Sequence, residues 1–306
     1  MPGDEPTYDV LCYGTISTDN VTHLSALPNP RRDAPASAEY DVIGGEALQV
    51  AVPLAAWGLK VLVVGNVIGA DRKGRFILER LADHPNVDTR CIEEHPNVVT
   101  PFSRILVTPD GERSRIAYWY DQTPKVELTP EIMARARLLS VDAYGRDERD
   151  RAAAVAHKLG RPVISADAIW PRYPLAGLSD VVVISSVWLR TNFPGVYEYD
   201  HALELQARGA GTVIITDGSH PVLVVREDGS TFGVEPYDVP RLRDTSGAGA
   251  VFKAGIIYGW LQPHWPLERR VKFASAAAGL HCTLERPMSS PPTLGAIQAL
   301  MQAQPR

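Results

Sequence analysis

Arg243-Asp244-Thr245-Ser246-Gly247-Ala248-Gly249-Ala250 runs directly into the apolar segment Val251-Phe252-Lys253-Ala254-Gly255-Ile256-Ile257-Tyr258. Gly247, Ala248 and Gly249 leave the first turn of a helix without large side chains, where unpaired N–H groups and the helix dipole can hold an anion. Phosphate or oxyanion binding is the chemistry that such a turn supports. A second small-residue turn, Gly44-Gly45, is followed by Glu46-Ala47-Leu48-Gln49-Val50-Ala51. It lets a ligand approach the backbone and offers Gln49 one turn into the helix as a hydrogen-bonding amide. Asp19, in Gly14-Thr15-Ile16-Ser17-Thr18-Asp19, follows the first apolar run, and Thr216-Asp217-Gly218 closes another.

Short β-branched runs at 10–13, 61–64, 163–165, 181–184 and 213–215 read as strands buried on both faces. Amphipathic patterns at 47–57, 75–81, 147–159 and 200–208 lie between them. That order predicts an α/β fold, a mostly parallel sheet with helices on both faces. Two stretches, about 21–43 and 100–121, carry alternating, turn-punctuated patterns instead, with a hairpin signal at Pro109-Asp110-Gly111. They are expected to form a small β lid on a single domain spanning residues 1–306. Alternation places Tyr118 and Tyr120 on one face of that lid, opposite Trp119. Beyond Asp244 the pattern is nearly all helical, through 267–283 and 294–302.

The formal net charge of −5 and the absence of a dense Lys/Arg block argue against nucleic acid as a partner. Cys12, Cys91 and Cys282 are few, scattered and odd in number, which suggests neither a disulfide framework nor a zinc site and points to a cytoplasmic chain. No apolar run approaches the roughly 18 residues of a membrane span, and the acidic start does not read as a signal peptide. The histidines form no spaced ligand cluster, so no protein-built metal site is expected.

The 244–250 stretch closely resembles Asp-Thr-x-Gly-Ala-Gly-Asp, the signature of the ribokinase-like (PfkB) carbohydrate kinases. Gly44-Gly45-Glu46-Ala47-Leu48-Gln49-Val50-Ala51 resembles the family's Gly-Gly-x-x-x-Asn-x-Ala, with Gln49 in place of Asn. Gly69-Ala70-Asp71-Arg72-Lys73-Gly74 resembles its Gly-x-Asp-x-x-Gly, an element of structure rather than chemistry. The resemblance implies ATP-dependent phosphorylation of a hydroxyl on a sugar or sugar-like molecule. Asp19, Gly44, Gly45 and Gln49 would hold the sugar, and Thr216, Gly218, Asp244 and Thr245 the nucleotide. The N–H groups of Gly247, Ala248 and Gly249 would form the anion hole, Mg2+ would ride on ATP, and a homodimer would form through the lid.

Three further departures accompany the resemblance. Ala250 stands where the family has its catalytic-base Asp, which implies an impaired form, whether by an engineered change or by natural loss. Ser185-Ser186-Val187-Trp188 replaces the Asn-x-x-Glu element, and Glu285-Arg286 replaces the Gly-Ala pair associated with a monovalent cation. Two rival readings are a non-catalytic sugar or nucleotide sensor and a nucleoside kinase, the latter favoured if Tyr118 or Tyr120 stacks on a base. A dehydrogenase is disfavoured because no Gly-x-Gly-x-x-Gly follows the first strand.

Overall fold

The computed structural model of the chain describes residues 6–109, 113–285 and 290–305. The first half comprises β1 (Val10–Gly14), β2 (Ser17–Leu24), β3 (Ala36–Gly44), α1 (Glu46–Ala56), β4 (Val61–Gly65), β5 (Ile68–Gly69), α2 (Arg72–Ala82), β6 (Val87–Asp88), β7 (Glu94–His95), β8 (Phe102–Val107) and β9 (Arg113–Tyr118). The chain continues through α3 (Pro130–Ala134), β10 (Leu139–Val141), α4 (Asp147–Lys158), β11 (Val163–Ala166), α5 (Pro174–Gly177), β12 (Val181–Ser185), α6 (Ser186–Asn192) and α7 (Glu198–Ala207). It closes with β13 (Thr212–Asp217), β14 (His220–Val225), β15 (Thr231–Val234), α8 (Ala248–Trp260), α9 (Leu267–His281) and α10 (Leu294–Ala303).

Nine strands form the large sheet in the order β15-β14-β13-β12-β11-β10-β1-β4-β6, parallel from β6 to β13 and antiparallel beyond. All five apolar runs read as strands lie in it, because each buries side chains on both faces. On one face Val10, Cys12, Ile164 and Val183 pack with residues of α1, α8, α9 and α10. On the other, Leu11, Tyr13, Val182 and Ile215 pack with residues of α3, α4, α5, α6 and α7.

A second sheet runs β3-β2-β8-β9, with β2 antiparallel to β3, parallel to β8, and β8 antiparallel to β9. It corresponds to the two alternating stretches, though it begins at Ser17 rather than near residue 21. β8 and β9 pair as a hairpin would, while Asp110 and Gly111 of the expected turn lie outside the described residues. Asp71 caps α2, accepting hydrogen bonds from Gly74 N at 2.8 Å and from Thr100 N and Oγ1 at 2.9 Å each. The Gly-x-Asp-x-x-Gly element thus ties α2 to the strand that enters the small sheet.

The tyrosine expectation fails. Trp119 adopts a left-handed φ of 69°, which breaks the alternation at the end of β9. Tyr118 stacks on Phe102 at 4.4 Å, whereas the Tyr120 hydroxyl lies 2.7 Å from Ser103 Oγ and 3.0 Å from Ser17 Oγ. Phe102 and Ser103 are neighbours on β8 and face opposite ways, so Tyr118 and Tyr120 serve opposite faces.

Candidate functional site

The large sheet reverses its winding between β1 and β10: the chain moves outward one way through β4 and β6, then the other way through β11, β12 and β13. Ligands of open α/β sheets bind at such a switch point, beyond the carboxyl ends of the strands. Here the switch point is tightly built. A Cβ on Gly14 would meet Asp142 Cγ at 2.3 Å, and Asp142 accepts from Thr15 N at 2.6 Å and Tyr144 N at 3.1 Å. Burial pushes the Asp142 carboxyl up to about 6, with the Glu46 charge adding to the shift.

Asp19 lies within β2 of the small sheet, past the end of the first strand where the sequence placed it. It is buried, and its Oδ1 has no hydrogen-bond partner among the described residues. Burial raises its pKa against the opposing influence of Arg115 and of the Ser103 hydroxyl. Gly44 sits against it: a Cβ there would fall 2.5 Å from Asp19 Cγ. Gly45 has φ 83° and caps α1, and a Cβ would lie 2.2 Å from Thr15 O, so both space and backbone conformation demand glycine. Gln49, one turn on, is half-buried, and its amide makes no hydrogen bond to a described residue.

The small-residue turn expected to hold an anion leads into α8. Gly247, at φ 78°, caps α8, but Ala248 N, expected among the anion donors, instead donates to Thr245 O at 3.3 Å. The N–H groups of Gly247, Gly249 and Ala250 find no acceptor among the described residues. The reason is partly His281, whose Nε2 lies 2.6 Å from Ser246 O, the carbonyl that would otherwise receive the Ala250 N–H. Burial lowers the His281 pKa, and its Nε2–H donates because the Ser246 carbonyl can only accept. Asp244 accepts from Ser246 N at 2.7 Å, shaping the turn, while Thr245 is exposed. Arg113 reaches across from β9 to donate to Ser246 Oγ at 2.6 Å.

One turn beyond Ala250, Lys253 is only 1% exposed in its side chain and holds Glu46 Oε1 at 2.6 Å and Val141 O at 2.9 Å. Glu46 Oε2 accepts from Ala143 N at 2.9 Å. This ion pair joins the Gly44-Gly45 turn to the anion turn through side chains that pattern reading did not single out. A lone lysine inside the otherwise apolar run 251–257 was the available signal.

Thr216 and Gly218 are placed further along the same sheet edge, where Gly218 turns the β13–β14 hairpin at φ 58°. No hydrogen bond or ion pair joins either to the anion turn; Thr216 Oγ1 donates to Ile184 O at 3.3 Å. Asp217 is engaged by Ser186 Oγ and Arg190 Nη2, both at 2.5 Å, so its carboxylate is not a spare base. Ala274 is committed to packing, since a Cβ on Gly255 would meet its Cα at 2.5 Å. Arg286 lies outside the described residues.

Asp167 follows β11 with φ 44° and accepts from Ser185 N at 2.8 Å. Burial pushes its carboxyl up to about 7, and Glu46 raises it further while Lys253 and Arg149 oppose. A group whose folded pKa exceeds its unfolded value stabilises the fold below the unfolded pKa and loses that contribution as pH rises through the folded one. Asp167→Asn is therefore expected to leave stability at pH 4 nearly unchanged and to raise it at pH 8 by on the order of 4 kcal/mol. Asn keeps both the acceptor for Ser185 N and the tolerance for a left-handed backbone. Urea unfolding at the two pH values checks this; equal effects at both would contradict a shifted Asp167.

Among the described residues no helix is long and apolar enough to cross a membrane, and no group of three or more His, Cys, Asp or Glu residues could hold a metal ion.

The family model for pfkB family carbohydrate kinases matches residues 9–170 and 188–294. A 5-dehydro-2-deoxygluconokinase of Geobacillus thermodenitrificans is 22% identical, covering 99% of this chain and 96% of that protein. A nucleoside kinase of Methanothermobacter thermautotrophicus is 23% identical, covering 88% of each. The structure of Arabidopsis thaliana ribokinase complexed with ribose and ATP superposes with a TM-score of 0.83 at 20% identity, covering 97% of this chain and 99% of that one.

Proposed function

Because the chain belongs to the pfkB family of carbohydrate kinases, we propose that it binds ATP and a sugar or sugar-like alcohol at the carboxyl edge of the large sheet, as a phosphotransferase slowed by Ala250. The observation that carries this reading is the first turn of α8, where three unpaired N–H groups are presented beside a methyl side chain. Backbone donors at a helix N-terminus fit phosphate oxygens. The small sheet acts as a lid, with the unpartnered Oδ1 of Asp19 as acceptor for a substrate hydroxyl.

In the transfer, the acceptor oxygen bonds to the γ-phosphorus while the bond from that phosphorus to the β–γ bridging oxygen breaks and its electron pair leaves on ADP. The N–H groups of Gly247, Gly249 and Ala250 steady the charge on the phosphoryl oxygens. A Mg2+ ion would come with the nucleotide phosphates rather than from a cluster of described carboxylates or histidines, and would supply neutralisation of part of their charge. The hydroxyl proton passes to water, since the Ala250 methyl accepts none. Loss of general-base assistance slows such a step by on the order of 10²–10⁴.

The test is ADP release with Mg·ATP across sugars, sugar acids and nucleosides. The panel is justified by relatives that include a gluconate-derivative kinase and a nucleoside kinase. A nucleoside acceptor is less well served, because Tyr118 is already stacked on Phe102. The sensor reading rests on Ala250 alone and predicts binding without ADP release in any variant. Asp19→Asn is expected to weaken binding of the acceptor by about 10- to 100-fold, the worth of a charge-assisted hydrogen bond, with nucleotide affinity unmoved. Calorimetry with each ligand separately checks it; unchanged acceptor affinity would remove Asp19 from the site.

A further inference from the structure

Arg113 is the first residue of β9, and its Nη1 donates to Ser246 Oγ at 2.6 Å across 133 positions of sequence. Ser246 immediately precedes Gly247, so the small sheet delivers a guanidinium to the mouth of the anion turn. Among the described residues no carboxylate comes within 4.0 Å of Arg113. The nearby acids are committed elsewhere: Asp244 accepts from Ser246 N, and Glu285 pairs with Arg243. A guanidinium offers five N–H donors in a planar fork suited to phosphate, and a neutral hydroxyl uses only one of them. Around this point the three free N–H groups, the positive end of α8 and Arg113 supply donors, while the neighbouring Asp244 carboxylate is held by Ser246 N.

We propose, resting on the kinase reading above, that Arg113 is a catalytic residue that leaves Ser246 and clamps the transferring γ-phosphoryl group of ATP. Its charge-assisted hydrogen bonds to a phosphoryl oxygen outweigh the neutral one to Ser246. It takes no proton; it neutralises charge while the acceptor oxygen bonds to phosphorus and ADP departs with the electron pair. Because the residue rides on the small sheet, docking that sheet and completing the anion hole become one event. With a methyl at 250, such charge stabilisation is the larger part of the catalysis that the chain retains.

The experiment compares affinities for Mg·ADP and for the magnesium complex of the non-hydrolysable analogue AMP-PNP, which differ in the γ-phosphoryl group. It uses the unaltered chain, Arg113→Ala, Arg113→Lys and Ser246→Ala. Arg113→Ala is expected to bind Mg·ADP within about twofold of the unaltered chain and to weaken for AMP-PNP by about 10- to 100-fold. Arg113→Lys should recover part of that loss, and Ser246→Ala should show none of it. An unchanged AMP-PNP to ADP ratio in Arg113→Ala, with tight nucleotide binding intact, would overturn the clamp alone. So would a Ser246→Ala variant that reproduces the whole loss, since Arg113 would then be only a latch. If the unaltered chain binds neither nucleotide, the kinase reading falls and the clamp with it.

Discussion

Ala250→Asp is expected to raise ADP release with the correct acceptor by on the order of 10²–10⁴ over the unaltered chain. The position favours a carboxylate on three physical grounds. Ala250 is the third residue of α8, where the helix dipole stabilises negative charge. It is nearly buried, 7% exposed, which limits competition from water for the acceptor hydroxyl. It also stands one turn ahead of Lys253, whose ammonium is held in place by Glu46 and Val141 O. The N–H groups of the turn are backbone donors and survive the substitution, so nucleotide affinity should change little. A coupled assay on both forms decides the matter. A rise confined to the Asp form marks the methyl as the lesion; silence in both, with sugar and nucleotide still bound, favours the sensor.

Lys253→Met is expected to destabilise the fold by about 3–5 kcal/mol, because it strands the Glu46 carboxylate beside its remaining partner, Ala143 N. The cost lies less in the lost attraction than in the uncompensated charge that remains. Glu46→Gln combined with Lys253→Met should therefore recover most of the loss, a coupling that a double-mutant cycle in urea measures. A single-variant loss below about 1 kcal/mol, or strictly additive effects, would show that Glu46 is solvated and the pair is not a structural link.

The parallel strands were legible in sequence because burial on both faces leaves an unbroken β-branched run, as at 61–64 and 181–184. β10 was not, because it has only three residues with Ser140 at its centre. β14 and β15 were missed too, as antiparallel additions after the Gly218 turn rather than further βα units. The backbone parts of the site, Gly45 and Gly247, could be read locally, since glycine at a positive φ is a property of its own turn. The charged parts could not. Glu46 meets Lys253, and Arg113 meets Ser246, across more than a hundred residues, and no local pattern announces either contact. Spacing did contain one usable hint, the two arginines at 113 and 115, which alternation puts on a single face of β9.

The parallel pairing of β2 with β8 has a consequence for the order in which the chain folds. Thr18 pairs with Phe102, and between them the chain must build α1, which packs on the larger sheet, and β4 and β6, which are strands of it. Closing so long a loop costs entropy before the pairing rewards it, so the four-stranded sheet is expected to assemble late, on a platform already formed. The same dependence runs in reverse. The small sheet buries only the cluster Val21, Val42, Ile105 and Val107, so it is expected to open before the larger one, and it carries both Asp19 and Arg113.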